Sequence, residues 1–211
     1  MPHYSCRKIN ADLQIDGDLD KAEWQLAERV QLTDAATGAS PIQRTEAKLL
    51  WNDRYLYVAF ECQDDYVRAT MQGFNDKLYE EEVVEIFIDD DGDPRTYIEI
   101  ELNPLNACLH YSVHNPLRGR ILTYARTEMN LVTAVRHDTE RSAWTAELAI
   151  PLTEFVTAQH CPPLPGDEWR FNLYRIDRPR DGSIEFSAWS PPGEPQFHKP
   201  LSFGGLRFTE E

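Results

Sequence analysis

Long apolar runs are missing from this chain. Its apolar stretches are short, Val83-Val84 and Leu131-Val132 among them, and none approaches the ~20 residues that a membrane-crossing helix needs. Paired cysteines are missing too. Cys6, Cys62, Cys108 and Cys161 lie far apart with no C-x-x-C spacing, which removes the usual zinc and redox motifs and leaves Cys62 and Cys108, set in apolar strand-like runs, to be read as buried free thiols. There is no glycine-rich phosphate loop, no G-x-S-x-G elbow and no H-E-x-x-H helix, which argues against nucleotide, esterase and zinc-peptidase chemistry. Positive charge is scarce: 21 Lys and Arg stand against 36 Asp and Glu, a net −15. Such a surface repels phosphate backbones, so neither nucleic acid nor an anionic membrane is expected as a partner. A neutral ligand meets no such barrier. The opening Met-Pro-His-Tyr-Ser-Cys-Arg-Lys-Ile has no apolar region and no small-residue cleavage site. No secretory signal is therefore read, and a cytoplasmic location is expected if this N-terminus is native.

What the chain does have is alternation. Leu56, Val58 and Phe60 alternate with Tyr55, Tyr57 and Glu61, and Val84, Ile86 and Ile88 with Glu85, Phe87 and Asp89. Ile98, Ile100 and Leu102 oppose Tyr97, Glu99, Glu101 and Asn103. A period of two marks half-buried strands. Further strands are predicted over Glu46–Trp51, Ala107–Val113, Leu131–His137, Ala143–Ile150, Glu168–Asp177, Ile184–Ser190 and Gly205–Thr209, with Asp-Gly and Gly-Asp turns at 91–93 and 181–182. Helix is limited to Asp20–Ala27, capped by Asp18 or Asp20 with Trp24 and Leu26 facing inward, and one turn over Leu152–Val156. The segment Asp64–Leu78 has no clear period and reads as a long loop with some helix. Hydrophobic residues at 41% suffice for a core. No repeat or long linker divides the chain, so residues 1–211 are read as one all-β domain, a two-sheet antiparallel sandwich of jelly-roll or immunoglobulin-like kind with one or two short helices. Trp51, Trp144, Trp169 and Trp189 are assigned to its core.

Four segments in order carry a resemblance: Ile15-Asp16-Gly17-Asp18-Leu19-Asp20 with Glu23-Trp24; Leu50-Trp51-Asn52-Asp53 with Tyr55-Leu56-Tyr57-Val58; Glu82 to Asp89 with Tyr97 to Asn103; and Trp189-Ser190-Pro191 with Phe197-His198-Lys199-Pro200 and Phe203 to Phe208. Together they resemble the family 9 carbohydrate-binding modules, within the DOMON-like β-sandwiches, over residues 8 to 208. The resemblance implies a stand-alone, non-catalytic module that needs no cofactor and takes a mono- or oligosaccharide or a polysaccharide chain end. It places a sugar between two aromatic rings, with polar side chains on its hydroxyls and calcium in a structural role. By position the rings fall on Tyr79 and Phe197, where the family has tryptophans. The hydrogen-bonding positions fall on Glu85, Tyr174 and Glu194, and the family's basic residue on the middle strand becomes Glu101.

The chemistry is consistent with these residue types. One sugar face buries roughly 70 Å², or ~1.8 kcal/mol at about 25 cal/mol per Å². Two faces fall short of the −4.1 kcal/mol of a millimolar complex, so hydrogen bonds must supply the rest. Carboxylates accept from adjacent hydroxyls through the stronger, charge-assisted bonds, and Glu85, Glu99 and Glu101 are set to form such a patch. His198 is placed to bond a hydroxyl or to tie its loop to Glu85. Arg175 is placed either at the ligand or in an internal ion pair. For metal, Asp16 with Asp18 and Asp89 with Asp91 are the candidates. Asp16 to Asp20 begins like an EF-hand loop but has Lys21 and Ala27 where Gly and Glu are required. Two alternatives stay open: a glycoside hydrolase on the carboxylates Glu85 and Glu101, and a haem-binding domain using Met71 with His110 or His114.

Overall fold

The computed structural model describes residues 1–210. Fourteen strands form it: β1 (His3–Lys8), β2 (Val30–Gln31), β3 (Thr33–Asp34), β4 (Thr45–Trp51), β5 (Tyr55–Gln63), β6 (Val83–Asp89), β7 (Thr96–Leu102), β8 (Cys108–His114), β9 (Leu122–Ala125), β10 (Val132–Asp138), β11 (Ala143–Pro151), β12 (Glu168–Asp177), β13 (Glu185–Ala188) and β14 (Gly204–Thr209). They follow one hydrogen-bonded path, β10-β11-β5-β4-β1-β14-β12-β6-β7-β8-β9, with β2 on β4 and β13 between β12 and β3. The fold is all-β and sandwich-like, as expected, with one refinement. The two halves are joined rather than separate, because β1 pairs in parallel with both β4 and β14. Nothing in the hexapeptide His-Tyr-Ser-Cys-Arg-Lys announces that role, since its partner lies some 200 residues away.

The path curls, and its two halves close on each other. Leu49, Trp51, Val58, Phe60, Leu148 and Ile150 from one half pack with Val84, Ile86, Ile88, Ile100 and Leu173 from the other. These are the apolar members of the alternating patterns, and their removal from water is the main force that closes the sandwich. All four expected core tryptophans are buried. Trp51 and Trp169 each meet the Phe208 ring edge-on at 5.3 and 4.7 Å. Cys6, Cys62 and Cys108 are buried free thiols, while Cys161 is exposed.

The expected helix over Asp20–Ala27 is a single 3₁₀ turn at Glu23–Gln25, preceded by Ala22 with no side-chain cap, and Leu26 faces solvent. Its position is set by tertiary contacts instead. The buried Glu147 carboxylate on β11 accepts from the Trp24 indole (2.8 Å), the Lys21 ammonium (2.7 Å) and the backbone amides of Asp16 and Gly17. The Ile15-to-Trp24 motif is thus a clamp closed on one carboxylate. The expected turn after Pro151 is a 3₁₀ turn at Leu152–Glu154.

The outer face of β12-β6-β7-β8 carries a second apolar layer of Phe87, Tyr97, Leu109, Val113, Tyr174 and Ile176, roofed by Phe197 and Phe203 from the segment after β13 and by Leu78 from the segment before β6. The cleft described next opens in this layer.

Candidate functional site

Strand register brings three glutamates together. Glu85 on β6 stands directly opposite Glu101 on β7, and Glu99 lies two residues away on the same face, opposite Phe87. Like charges facing across strands are destabilising, yet all three are buried, at 2%, 4% and 0% exposure for Glu85, Glu99 and Glu101. One oxygen from each carboxyl lies within 4.8 Å of the others. Glu85 Oε1, Glu99 Oε2 and both Glu101 oxygens have no hydrogen-bond partner in the protein. Unsatisfied buried acceptors are rare because their desolvation is uncompensated.

These carboxyls form the floor of a cleft of ≈ 380 Å³, with walls supplied by Tyr79, Phe87, Tyr111, Phe186, Phe197 and His198. That volume lies within the range of small-molecule sites. Burial pushes Glu85 and Glu101 well above the usual carboxylate range, and the neighbouring carboxyl charges push them the same way. Burial raises Glu99 to about 7, with the interaction with the neighbouring Glu101 carboxyl acting in the opposite direction. The group therefore retains protons near neutral pH, and such a carboxyl both donates and accepts.

Both expected rings line this cleft, but they differ in role. Tyr79 is 38% exposed. It sits in a 3₁₀ turn, Leu78–Glu80, anchored by the fully buried Leu78 and by an Arg178 guanidinium N–H donated to its carbonyl. Phe197 is only 7% exposed. It stacks on Tyr174 with ring centroids 4.1 Å apart and planes 13° apart, and meets Phe186 edge-on. Phe197 is thus a packed wall, and Tyr79 is the accessible platform.

Several assignments need correction. Tyr174 is fully buried beneath Phe197, and its hydroxyl donates to the Phe197 carbonyl at 3.1 Å, so it supports the wall and does not face a ligand. Arg175, its neighbour in the strand, points to the opposite face. There it pairs with Glu82 (3.0 Å), Asp177 (2.8 Å) and Asp64 (3.4 Å). The internal ion pair is the reading that stands. Glu194 is exposed, pairs with Lys199 at 2.6 Å and does not line the cleft. His198 does line it, but its Nδ1 bonds the Tyr97 hydroxyl (2.8 Å) and its Nε2 lies 4.0 Å from Glu99, so the loop is tied to β7 and not to Glu85. Burial lowers His198 to about 4, leaving it neutral near pH 7. Sequence reasoning passed over Phe87, Tyr111 and Phe186 as cleft walls. The signal was available for Phe87 and Tyr111, which register places beside Glu99.

The metal candidates separate in the same way. Asp16 and Asp18 are instead paired with Lys21 (2.7 Å) and Arg136 (3.0 Å); the Lys21 hydrogen bond lowers Asp16, and the Asp20 amide, then Arg136, lower Asp18. Asp89 and Asp91 do come together, with Asp93, in the β6–β7 hairpin, and Asp89 Oδ2 is buried without a partner. Burial, then the Asp91 charge, raises Asp89 to about 7, although a bond from the Gly92 amide opposes this. The haem pairing fails on strand geometry. His110 and His114 share a face of β8 with Cys108, which packs in the inter-sheet core, whereas Met71 packs against the outer layer.

Known proteins agree with this architecture. The model of the carbohydrate family 9 binding domain-like family matches residues 15–211. The chain belongs to that family. Among relatives of this family 9 domain, an extracellular protein of Arthroderma benhamiae is 27% identical over 182 residues, 80% of each chain. Endo-1,4-beta-xylanase A of Thermotoga maritima is 25% identical over 203 residues, which are 93% of this chain but 17% of the xylanase. A family 9 carbohydrate-binding module from Caldicellulosiruptor kristjanssonii, solved in complex with cellotriose, superposes with a TM-score of 0.71 at 18% identity, covering 100% of this chain and 95% of that one. At that identity the likeness is one of fold.

Proposed function

We propose that this family 9 domain binds carbohydrate without catalysis, taking a sugar unit against Tyr79 and the Phe197 wall, with Glu85, Glu99 and Glu101 bonded to its hydroxyls. The observation that carries the reading is the set of buried carboxyl oxygens that find no partner in the protein and line an open aromatic cleft. A sugar supplies both missing parts: a C–H face for the ring and hydroxyls for the oxygens. The cellotriose held by the structural relative and the xylanase to which another relative belongs support a β-1,4-linked ligand class.

Hydrolysis fits the geometry less well. A glycosidase places its two carboxyls on either side of the scissile bond. Glu85 and Glu101 stand side by side on one sheet face. Calorimetric titration with cellotriose tests the binding reading. Saturable heat, weakened about tenfold or more by Tyr79→Ala, supports it. No heat with any mono- or oligosaccharide, or full affinity in Tyr79→Ala, contradicts it.

The Asp89-Asp91-Asp93 hairpin is proposed as a structural calcium site, since Ca²⁺ favours several carboxylate oxygens and the orphaned Asp89 Oδ2 offers one. Added Ca²⁺ is expected to raise Tm in the native chain and not in Asp91→Asn. An equal shift in both, or none in either, argues against it.

A further inference from the structure

The cleft has an unusual electrostatic balance. Three carboxyls lie on its floor, and no lysine or arginine is among its lining residues. Its one histidine is neutral near pH 7. The acids elsewhere in the fold are treated differently. Glu147 is held by Lys21, the trio Asp64, Glu82 and Asp177 surrounds Arg175, and Asp12 is held by Arg54. Among the described residues the cleft gathers three buried acids without an internal cation, whereas the Asp89-Asp91-Asp93 group, the other such place, has a single buried acid and no aromatic wall described around it. The cleft walls are aromatic: Tyr79, Phe87, Tyr111, Phe186 and Phe197. Aromatic rings around carboxylates form the environment in which organic ammonium groups are recognised, through charge-assisted hydrogen bonds to the acids and cation–π attraction to the rings.

Resting on the carbohydrate reading above, we propose that the cleft selects sugars bearing a free amine, with a 2-amino-2-deoxyhexose unit placing its ammonium among Glu85, Glu99 and Glu101. An ammonium has three donors and no acceptor; its charge favours release of the protons that the carboxyls retain without it, and its donors then meet oxygens that lack partners in the protein. A neutral sugar leaves the cost of gathering three buried acids in place, and an ammonium offsets it. A bare divalent ion fits the oxygens but gains nothing from the aromatic walls. The organic cation is therefore the better match for the whole cleft.

The test compares three trisaccharides of one linkage by calorimetry near neutral pH: cellotriose, the fully deacetylated β-1,4-glucosamine trimer and its N-acetylated form. The native chain and a Glu85→Gln, Glu99→Gln, Glu101→Gln variant are titrated in parallel, with CaCl₂ titrated alone into both. The glucosamine trimer is expected to bind at least about tenfold more tightly than the other two, and the glutamine variant to lose that preference. Circular dichroism establishes that the variant is folded; if it is not, Glu99→Gln alone is expected to narrow the preference. Equal or tighter binding of cellotriose overturns the amine preference and leaves the carbohydrate reading standing. Failure of all three sugars overturns both. Calcium heat that disappears in the glutamine variant makes the cleft a metal site and overturns the proposal.

Discussion

Two groups of three buried acids lie on opposite faces of the same sheet, and they are resolved in opposite ways. Asp64, Glu82 and Asp177 surround Arg175, whose guanidinium also donates to the Thr45 hydroxyl and the Gln63 carbonyl. The Trp144 indole adds a donor to Asp64 and Glu82. Burial still raises Glu82 to about 8 and Asp177 to about 6, with Arg175 opposing both shifts. Glu85, Glu99 and Glu101 have no such centre. They keep buried oxygens without protein partners on the floor of a cleft whose mouth is aromatic. Buried acid that serves the fold carries its own cation, and buried acid that serves a ligand leaves that place open. Adjacent residues on β12 divide the two regions: Tyr174 supports the cleft wall, and Arg175 closes the ion cluster.

The largest effect expected from separating the regions is Arg175→Met. It strands three acids in the interior, and loss of one partner from a buried ionic group costs about 3–5 kcal/mol. Urea denaturation measures it, and a loss below about 1 kcal/mol would mean that the cluster is not held by its cation. Phe197→Ala comes next. Removing a packed ring costs about 3–5 kcal/mol when the site cannot collapse, and the open cleft beside it places the loss at the lower end. Sugar affinity is expected to fall with it. Tyr79→Ala should weaken binding comparably while changing stability by no more than about 0.5 kcal/mol, because the ring is partly exposed. Equal destabilisation by both substitutions would make the two rings equivalent and remove the distinction between platform and wall.

The pH dependence is smaller and has a definite sign. Glu99 holds its proton to about 7 in the folded chain, whereas an unfolded glutamate releases it near ~4.3. Between those values the folded state binds more protons, so this contribution is fully present below ~4.3 and is lost as pH rises toward 7. Glu99→Gln should flatten that slope by up to about 1.4 kcal/mol per pH unit. An unchanged slope in denaturation series would place the proton elsewhere.

Much of this was legible in the sequence, and the gaps have physical causes. The strand Glu168–Asp177 is found at its predicted bounds because its alternation is long and clean. β1 was missed because a six-residue strand with two buried apolar side chains, Tyr4 and Cys6, has little pattern to read. The Asp20–Ala27 helix failed because Glu147, a distant carboxylate, decides the path of that segment. In the site, Glu85 and Glu101 were recoverable from alternation and hairpin register. Of the two readings of Arg175, the ligand one could be set aside on the sequence alone. Adjacent strand residues point to opposite faces, so Tyr174 and Arg175 cannot both approach one ligand. That Phe197 would be covered on one side was not recoverable, since the stack depends on how the segment after β13 folds back over β12.

The structure of the complex with cellotriose bears most directly on the contrast between the two acid groups. A sugar ring in the cleft is expected, packed against Tyr79 with at least one hydroxyl within hydrogen-bonding distance of Glu85, Glu99 or Glu101, and the Arg175 cluster unchanged. A sugar seated instead in the charged groove beside Arg136 and Arg141 on the far half of the sheet, with the three cleft carboxyls still unpartnered, would contradict it.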